Sequence, residues 1–155
     1  MREALELLAL QVAIHNIPTQ DLSELAESLS SLNSESPPEL FFEIDRRLHG
    51  LIVKHGGNER LSQLLDSLNA QMERMRRISA VRPNRLDKSM NEHLAIVRAI
   101  QGRDWVSAEA ELRQHTQNVK QSTIDICRNL WWRSRQLNFL ITIHGPAFWK
   151  TAELP

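Results

Sequence analysis

Four side chains that can bind a metal ion fall on helix faces that are otherwise apolar. They are one carboxylate and three imidazoles: Asp45, His49, His93 and His115. Asp45 and His49 are four residues apart, so on a helix they lie one turn apart on the same face. A carboxylate that points into a core is costly unless a cation or several hydrogen-bond donors meet it. One metal ion shared with three imidazoles would remove that cost for all four groups.

The other two histidines of this set each continue an apolar stripe with helical spacing. The stripes are Leu86, Met90, His93, Leu94, Val97 and Ile100, and then Ala108, Leu112, His115, Val119, Ser122 and Ile126. A single histidine on such a face is more often a core residue than a ligand. Four candidates in register favour a centre with one oxygen and three nitrogen ligands, which suits Zn first and also Ni, Mn or Fe.

The sequence pattern predicts an all-helical chain, and its helices must position these residues. Apolar residues recur every three or four positions, and the alternation typical of strands is nearly absent. Helices are predicted near residues 2–15, 19–32, 37–55, 58–80 and 86–101, and from 105 to at least 129. Asn58 and Asp104 are predicted helix caps. Residues 36–39 (SPPE) resemble a capping box with proline at the first helical position.

Length and composition indicate one folded domain followed by a tail. A chain of 155 residues is long enough to bury its own core. We predict a helical metal- and ligand-binding domain over residues 1–130 and an aromatic C-terminal tail over residues 131–155. The tail is expected to pack on the domain or on a partner subunit. Its aromatic and apolar residues are Trp131, Trp132, Phe139, Ile141, Phe148 and Trp149.

Charge and cysteine content exclude several classes of function. Lys plus Arg and Asp plus Glu both number 19, which argues against the basic surface that nucleic-acid binding needs. We therefore expect no direct nucleic-acid contact by this chain. The one cysteine, Cys127, cannot form an internal disulfide, which fits the cytoplasm. No apolar run reaches the roughly 18 residues of a membrane span, and no secretory signal is expected.

Three stretches carry a resemblance to a known family. The chain opens with an R-x-x-L-E element at residues 2–6, and a D-x-x-x-H element at residues 45–49 is followed by Gly57-Asn58. Residues 92–115, EHLAIVRAIQGRDWVSAEAELRQH, follow the pattern EHxxIxxAIxxxDxxxAxxxMxxH. Over about residues 2–126 the chain thus resembles the FadR-type C-terminal (FCD) domain of GntR-family bacterial transcription regulators. The segment with two histidines is the most specific of the three.

The resemblance implies an antiparallel bundle of six to seven helices around a metal-containing cavity, often as a homodimer. Its cavity commonly holds Zn, Ni or Mn through one Asp and three His, and these ligands map onto Asp45, His49, His93 and His115. Effectors of the family are usually small carboxylates such as hydroxy acids, sugar acids or dicarboxylates.

Two features depart from the family pattern. Its regulators carry an N-terminal winged helix-turn-helix, which is not present in this sequence, and the aromatic tail after Leu130 does not match the family pattern. We expect either an excised effector domain or a protein without a DNA-binding half.

Four arginines are candidates for binding an effector carboxylate: Arg46, Arg74, Arg77 and Arg85. Arginine can hold a carboxylate through two parallel hydrogen bonds, and the metal would supply further positive charge. For any single one of them, a solvated surface position is the simpler interpretation. Arg74 and its neighbours on the fourth helix cannot all face inward.

Three functions are compatible with these residues. The first is a metal-dependent sensing domain for a small organic or sugar acid in a GntR-like regulator. The second is a stand-alone metal-dependent lyase or hydrolase that acts on a small carboxylate. No catalytic residue is assigned, because Glu92 is predicted to point away from His93 and no other general base stands out. The third is a purely structural metal, although structural zinc sites are usually rich in cysteine.

Overall fold

The computed structural model describes the backbone of residues 1–33, 35–79 and 85–144, and side chains of residues 1–33, 35–69, 77 and 85–129. This part of the chain contains six helices and no strand, so the prediction of an all-helical fold is confirmed. The helices are α1 (Arg2–Asn16), α2 (Thr19–Ser31), α3 (Pro38–His55), α4 (Glu59–Ser79), α5 (Arg85–Gln101) and α6 (Trp105–His144).

Two of the helix starts are capped as the sequence predicts. The Asn58 side-chain oxygen accepts a hydrogen bond from the Leu61 backbone N–H at 3.0 Å. The Asp104 carboxylate accepts one from the Ser107 N–H at 3.2 Å and one from the Ser107 hydroxyl at 2.6 Å. Each cap satisfies a donor that the first helical turn leaves without an internal partner.

The predicted capping box before α3 is wrong. The helix begins at Pro38, and its N-cap position, Pro37, makes no side-chain cap bond. The Ser36 hydroxyl accepts the Asn33 backbone N–H at 3.1 Å instead and stabilises the preceding turn. Ser36 therefore lies one position before the N-cap, outside the helix, and its hydroxyl bonds to the turn.

The core lies where the apolar faces of the helices meet. α1 packs most extensively on α3, α5 packs on α6, and α2 packs on α5. These contacts bring α3, α5 and α6, the three helices that carry the metal-binding candidates, around one interior region. Fully buried residues at its centre are Leu10, Ile14, Leu22, Leu25, Leu48, Ile52, Leu65, Ile96, Ile100 and Leu112.

The end of α3 lies unusually close to α1. A Cβ atom at Gly56 would lie 2.9 Å from the Cβ of Ala9 and 3.0 Å from its Cα. Such distances are shorter than van der Waals contact, so this crossing accepts only glycine without movement of a helix. The next residue, Gly57, has a φ of +68°, the left-handed conformation that ends many helices. The two glycines therefore have different roles, since only the first permits the close approach.

Arg103 connects the turn between α5 and α6 to the end of α1. Its backbone has a φ of 54°, in the left-handed region. Its Nη1 donates to the carbonyl of Ile14, and its Nη2 donates to the carbonyl of Ile17 at 2.9 Å. These carbonyls lie at the C-terminal end of α1, where carbonyl groups lack helical partners and favour a cation.

We predict that Arg103→Ala lowers the free energy of unfolding by about 1.5–3 kcal/mol, the range for hydrogen bonds that involve a charged group. Urea denaturation followed by circular dichroism measures the change. Arg98→Ala, which removes an exposed arginine from α5, is the control and should change stability by less than about 0.5 kcal/mol. Equal midpoints for Arg103→Ala and the wild type would contradict this role.

The predicted boundary between domain and tail falls inside a helix. α6 runs from Trp105 to His144 and so passes through residue 130. The packing of the aromatic residues beyond it lies outside the described side chains, so the division of the chain at residue 130 stays a prediction. No helix in the described ranges is both long and apolar enough to cross a bilayer.

Candidate metal centre

The structure brings the four predicted ligands together from three helices. Asp45 and His49 lie on the buried face of α3, His93 lies on the inner face of α5, and His115 lies in the third turn of α6. All four side chains are buried, and the three histidines are at most 3% exposed. Local periodicity explains this result, because each residue shares a stripe with core leucines, isoleucines or valines.

The ligand atoms of these residues surround one point. Asp45 Oδ1 lies 3.8 Å from His49 Nε2 and 3.4 Å from His93 Nε2. His93 Nε2 lies 3.4 Å from His115 Nε2. The four ligand atoms are all within 4.8 Å of one another. The two pairs at 3.4 Å are spaced as donor atoms that share one ion at about 2.0–2.1 Å from each, so the cluster fits a shared ion.

The His49 ring supplies an independent test of this fit. Its Nε2 is buried and has no hydrogen-bond partner. A buried polar nitrogen without a partner is costly, and coordination to a metal would remove that cost. The donor set therefore fits a divalent ion, which Asp45, His49, His93 and His115 would hold. When bound, the ion would supply positive charge and, where it takes more than these four ligands, a position for an exchangeable ligand.

A carboxylate outside the ligand set orients His115. Its Nδ1 lies 2.7 Å from Glu92 Oε2. The other oxygen, Oε1, accepts a hydrogen bond from Asn118 at 2.9 Å and lies 3.5 Å from Arg85 Nη1. A histidine that donates through Nδ1 keeps the Nε2 lone pair for a metal. The sequence predicted that Glu92 points away from His93, and it did not reveal this contact with His115 on the neighbouring helix.

A second carboxylate lies against His49. Glu6 Oε2 is 3.1 Å from His49 Nδ1, and Glu6 Oε1 is 2.5 Å from Arg2 Nε. The sequence interpretation recognised both α1 residues as parts of a family motif but gave them no role. A signal was present, because Glu6 falls in the buried stripe of Ala9, Leu10 and Ala13. A carboxylate in such a stripe needs a partner.

Burial and charge set the protonation states. Burial lowers the pKa of His49 and, with the nearby His93, lowers the pKa of His115 to about 3. Burial alone would raise the pKa of Glu6, but the contacts with His49 and Arg2 outweigh it and lower the pKa to about 2. At neutral pH these two imidazoles are therefore neutral and Glu6 is ionised. Neutral imidazole is the state that binds a metal.

We predict that the metal-free protein loses stability as the pH falls. The unfolded chain takes up a proton on the His115 imidazole near the ordinary pKa of 6.5, whereas the folded chain does so only near 3. The unfolded state therefore binds more protons between about pH 6.5 and 3, and the free energy of unfolding decreases across that window. Denaturant titrations of metal-free protein at several pH values measure this decrease in the free energy of unfolding. His115→Gln should make the free energy of unfolding depend less steeply on pH. A wild-type free energy of unfolding that does not change with pH would contradict the prediction.

A small cavity borders the centre on one side. Asp45 and His93 form part of its wall together with Phe41, Met90 and Arg85, and its volume is about 40 Å³. A single water needs roughly 10–15 Å³ by such a measure. An organic acid would therefore have to displace wall side chains on entry.

The structure separates the four candidate arginines. Arg85 is half-buried and lines the cavity. Arg77 is exposed, and its guanidinium carbon lies 5.1 Å from the ring centroid of Phe42, another wall residue. Arg46 is exposed and is not among the residues of the wall. The side chain of Arg74 lies outside the described part of the chain. Their roles in effector binding stay predictions, with Arg85 the best placed.

The fold and the site together define an all-helical domain with an interior site suited to a divalent metal. The chain belongs to the FCD domain family, whose model matches residues 1–118. The resemblance seen in the sequence is thereby confirmed.

Curated relatives are HTH-type transcriptional regulators. The chain is 28% identical over 86 residues to the HTH-type transcriptional repressor RspR of Escherichia coli (strain K12). The aligned region covers 56% of this chain and 38% of RspR. The match to the uncharacterized HTH-type transcriptional regulator YdfH of Shigella flexneri has the same identity and coverage. The chain thus spans less than half the length of these relatives.

Two solved structures share the fold. The metal-free FCD domain of TM0439 superposes with a TM-score of 0.74 at 24% identity and covers 83% of this chain and 89% of that one. The Zn2+-bound FCD domain of the same protein gives a TM-score of 0.68 at 23% identity, with 84% and 89% covered. At this level of identity the likeness establishes the fold alone.

Proposed function

We propose that this chain is a metal-dependent sensing domain for a small carboxylate, belonging to a GntR-like transcriptional regulator. The observation that carries the proposal is the buried cluster of Asp45, His49, His93 and His115 next to a cavity with Arg85 in its wall. The Zn2+-bound state of the TM0439 FCD domain supports zinc as the ion. The donor set also admits Ni, Mn or Fe.

The charges around the cluster favour an anionic ligand. Metal binding requires neutral imidazoles, so the charge count rests on the other groups: Asp45, Glu6 and Glu92 contribute three negative charges, and Arg2 and Arg85 contribute two positive charges. These groups sum to −1, and a divalent ion changes the sum to +1. An effector carboxylate would neutralise that excess in a buried site, where an uncompensated charge is costly.

The cavity suggests how such an effector is oriented. A carboxylate oxygen would take the exchangeable position on the metal, and Arg85 would bind the same or a second carboxylate. Phe41 and Met90 offer apolar wall surface for the carbon skeleton. Such a division between a few polar anchors and an apolar wall is typical of small-molecule sites. Metal and arginine therefore recognise the acid group, and the wall selects the skeleton.

Elemental analysis and thermal shifts test the proposal. Untagged protein should contain about one divalent metal per chain, and a panel of hydroxy acids, sugar acids and dicarboxylates should include at least one that raises the melting temperature. Chelation should abolish that shift. A ligand at about 100 times its dissociation constant adds about 2.7 kcal/mol of stability. Absence of any metal would contradict the proposal, since the carboxylate-induced rise in melting temperature is expected to require the metal.

Arg85→Gln should weaken binding of the responding carboxylate by roughly 10–100-fold, which corresponds to loss of one charged hydrogen bond. Arg46→Gln is the matched control, because Arg46 is exposed and outside the cavity wall. Isothermal titration of zinc-loaded protein measures both affinities. A larger loss in Arg46→Gln than in Arg85→Gln would reverse the assignment of the effector arginine.

The enzymatic alternative is less well supported. Glu92, the carboxylate that precedes His93, contacts His115, Asn118 and Arg85 and so is not a free general base. Turnover of the responding carboxylate, followed by mass spectrometry, would favour a lyase or hydrolase. Global unfolding on chelation would favour a structural metal. We further propose a cytoplasmic homodimer without direct nucleic-acid contact by this chain, for which light scattering and a DNA-binding assay are the tests.

A further inference from the structure

The N-terminal segment of α1, residues 2–6, makes polar contacts with two helices of the metal centre. Glu6 contacts His49 on α3, as described above. Glu3 lies 2.9 Å from Arg113 Nη1 and accepts a hydrogen bond from Thr116 Oγ1 at 3.5 Å, both on α6. The two glutamates differ in what they meet, because the first contacts a candidate ligand and the second contacts residues that are not ligands. α1 itself supplies none of the four candidate ligands.

Glu6 and His49 are in close contact, but the hydrogen-bonding capacity of the two facing atoms is not fully used. The Glu6 side chain is fully buried, with Oε2 at 3.1 Å from His49 Nδ1. Neither atom is part of a well-aligned hydrogen bond, and Nη2 of Arg2 is also buried without a partner. A buried carboxylate beside an imidazole favours the tautomer that carries its proton on the near nitrogen. For His49 that nitrogen is Nδ1, which leaves the Nε2 lone pair facing the cluster.

We propose that Glu6 is a positioning residue for His49, held in place by Arg2. The pair selects the tautomer and ring orientation in which Nε2 can bind a metal ion. Because both residues belong to the N-terminal segment of α1, residues 2–6, occupancy of the centre is coupled to the order of that segment. The effect on metal affinity rests on the proposed metal-binding function, whereas the tautomer of His49 does not.

Glu6→Gln tests this role, and Glu3→Gln is its matched control in the same N-terminal segment of α1. Both substitutions remove one negative charge and keep the side-chain shape. Zinc affinity, measured on the full chain by competition with a chromophoric chelator, should fall by roughly 10–100-fold in Glu6→Gln, the usual cost of losing an outer partner of a ligand. Glu3→Gln should stay within about twofold of the wild type. Equal affinities of Glu6→Gln and wild type would overturn the proposal.

Hydrogen exchange distinguishes a positioning role of Glu6 from a merely structural one, because a structural role would not alter the effect of zinc on amide exchange. Zinc should slow amide exchange in the N-terminal segment of α1 in the wild type and in Glu3→Gln, and this slowing should be absent in Glu6→Gln. If Glu6→Gln does not fold, Arg2→Gln serves instead, with a several-fold loss of zinc affinity expected. Zinc-dependent slowing that persists in Glu6→Gln would overturn the coupling.

Nitrogen-15 NMR of the metal-free chain separates this proposal from the metal-binding function. His49 should carry its proton on Nδ1 in the wild type, and this preference should weaken in Glu6→Gln. A wild-type chain that binds no zinc but shows the Nδ1–H tautomer would refute the metal function and retain Glu6 as the orienting group. A wild-type His49 protonated on Nε2 would overturn the positioning role, whatever the zinc affinity.

Discussion

Replacement of His115 by alanine is expected to abolish stoichiometric metal binding and the response to a carboxylate together. Removal of His115 leaves three ligands and a space in the buried cluster, so zinc affinity should fall by clearly more than the roughly 10–100-fold lost with an outer partner. His93→Ala should have the same effect, since its Nε2 is 3.4 Å from both Asp45 Oδ1 and His115 Nε2. Elemental analysis and calorimetric titration with zinc measure the loss.

An exposed histidine supplies the control for this experiment. His15 lies on the surface at the end of α1, and His15→Ala should keep one metal per chain. Circular dichroism must show that the variants remain helical, because loss of the fold would also release the metal. Unchanged metal stoichiometry in folded His93→Ala and His115→Ala would remove the basis for the proposed centre.

Alanine at Gly56 is expected to destabilise the protein, whereas alanine at Gly50 is expected to stabilise it. A Cβ at Gly56 meets Ala9 at 2.9 Å, so α1 and α3 must separate, and overpacking of this kind costs about 1–3 kcal/mol. At Gly50, within the same helix, a Cβ meets nothing within 4 Å. Alanine there should add about 0.5–1 kcal/mol, because it lowers the entropy cost of helix formation.

Thermal unfolding compares the two variants directly. A change of 1 kcal/mol corresponds to about 2–4 °C for a chain of this size, so the two melting temperatures should differ by several degrees with opposite signs. Gly56→Ala should also weaken zinc binding, because Glu6 and His49 meet across the interface that it opens. Equal effects of alanine at the two positions would show that the approach of Ala9 to Gly56 does not limit packing.

The helices and the four candidate ligands could be predicted because both depend on local periodicity. Asp45, His93 and His115 each lie in register with buried apolar residues, and the register alone indicates that their side chains face inward. The helix caps Asn58 and Asp104 could be predicted for the same reason, because each bonds a backbone N–H only three residues later. Ser36 was misjudged because the helix begins one residue later than predicted, at Pro38, and the Ser36 hydroxyl bonds to the preceding turn.

The outer carboxylates could not be predicted, because their contacts cross between helices. Glu92 lies beside His93 in the sequence but contacts His115, which a helical wheel of α5 alone does not show. Glu6 is 43 positions before His49, and its partner depends on how α1 crosses α3. The same limit applies to Arg85 and Arg46, whose different positions relative to the cavity follow from helix packing rather than from spacing.

The origin of the ligands on three separate helices has a consequence for the lifetime of the folded chain. An ion held by the candidate ligands on α3, α5 and α6 would close the chain into loops between His49 and His93 and between His93 and His115. Such loops restrict the unfolded chain in the way a reversible cross-link does. Unfolding of the loaded protein would then require either release of the ion or simultaneous separation of three helices. Resistance to proteolysis would therefore follow the dissociation rate of the metal rather than the equilibrium stability of the helices.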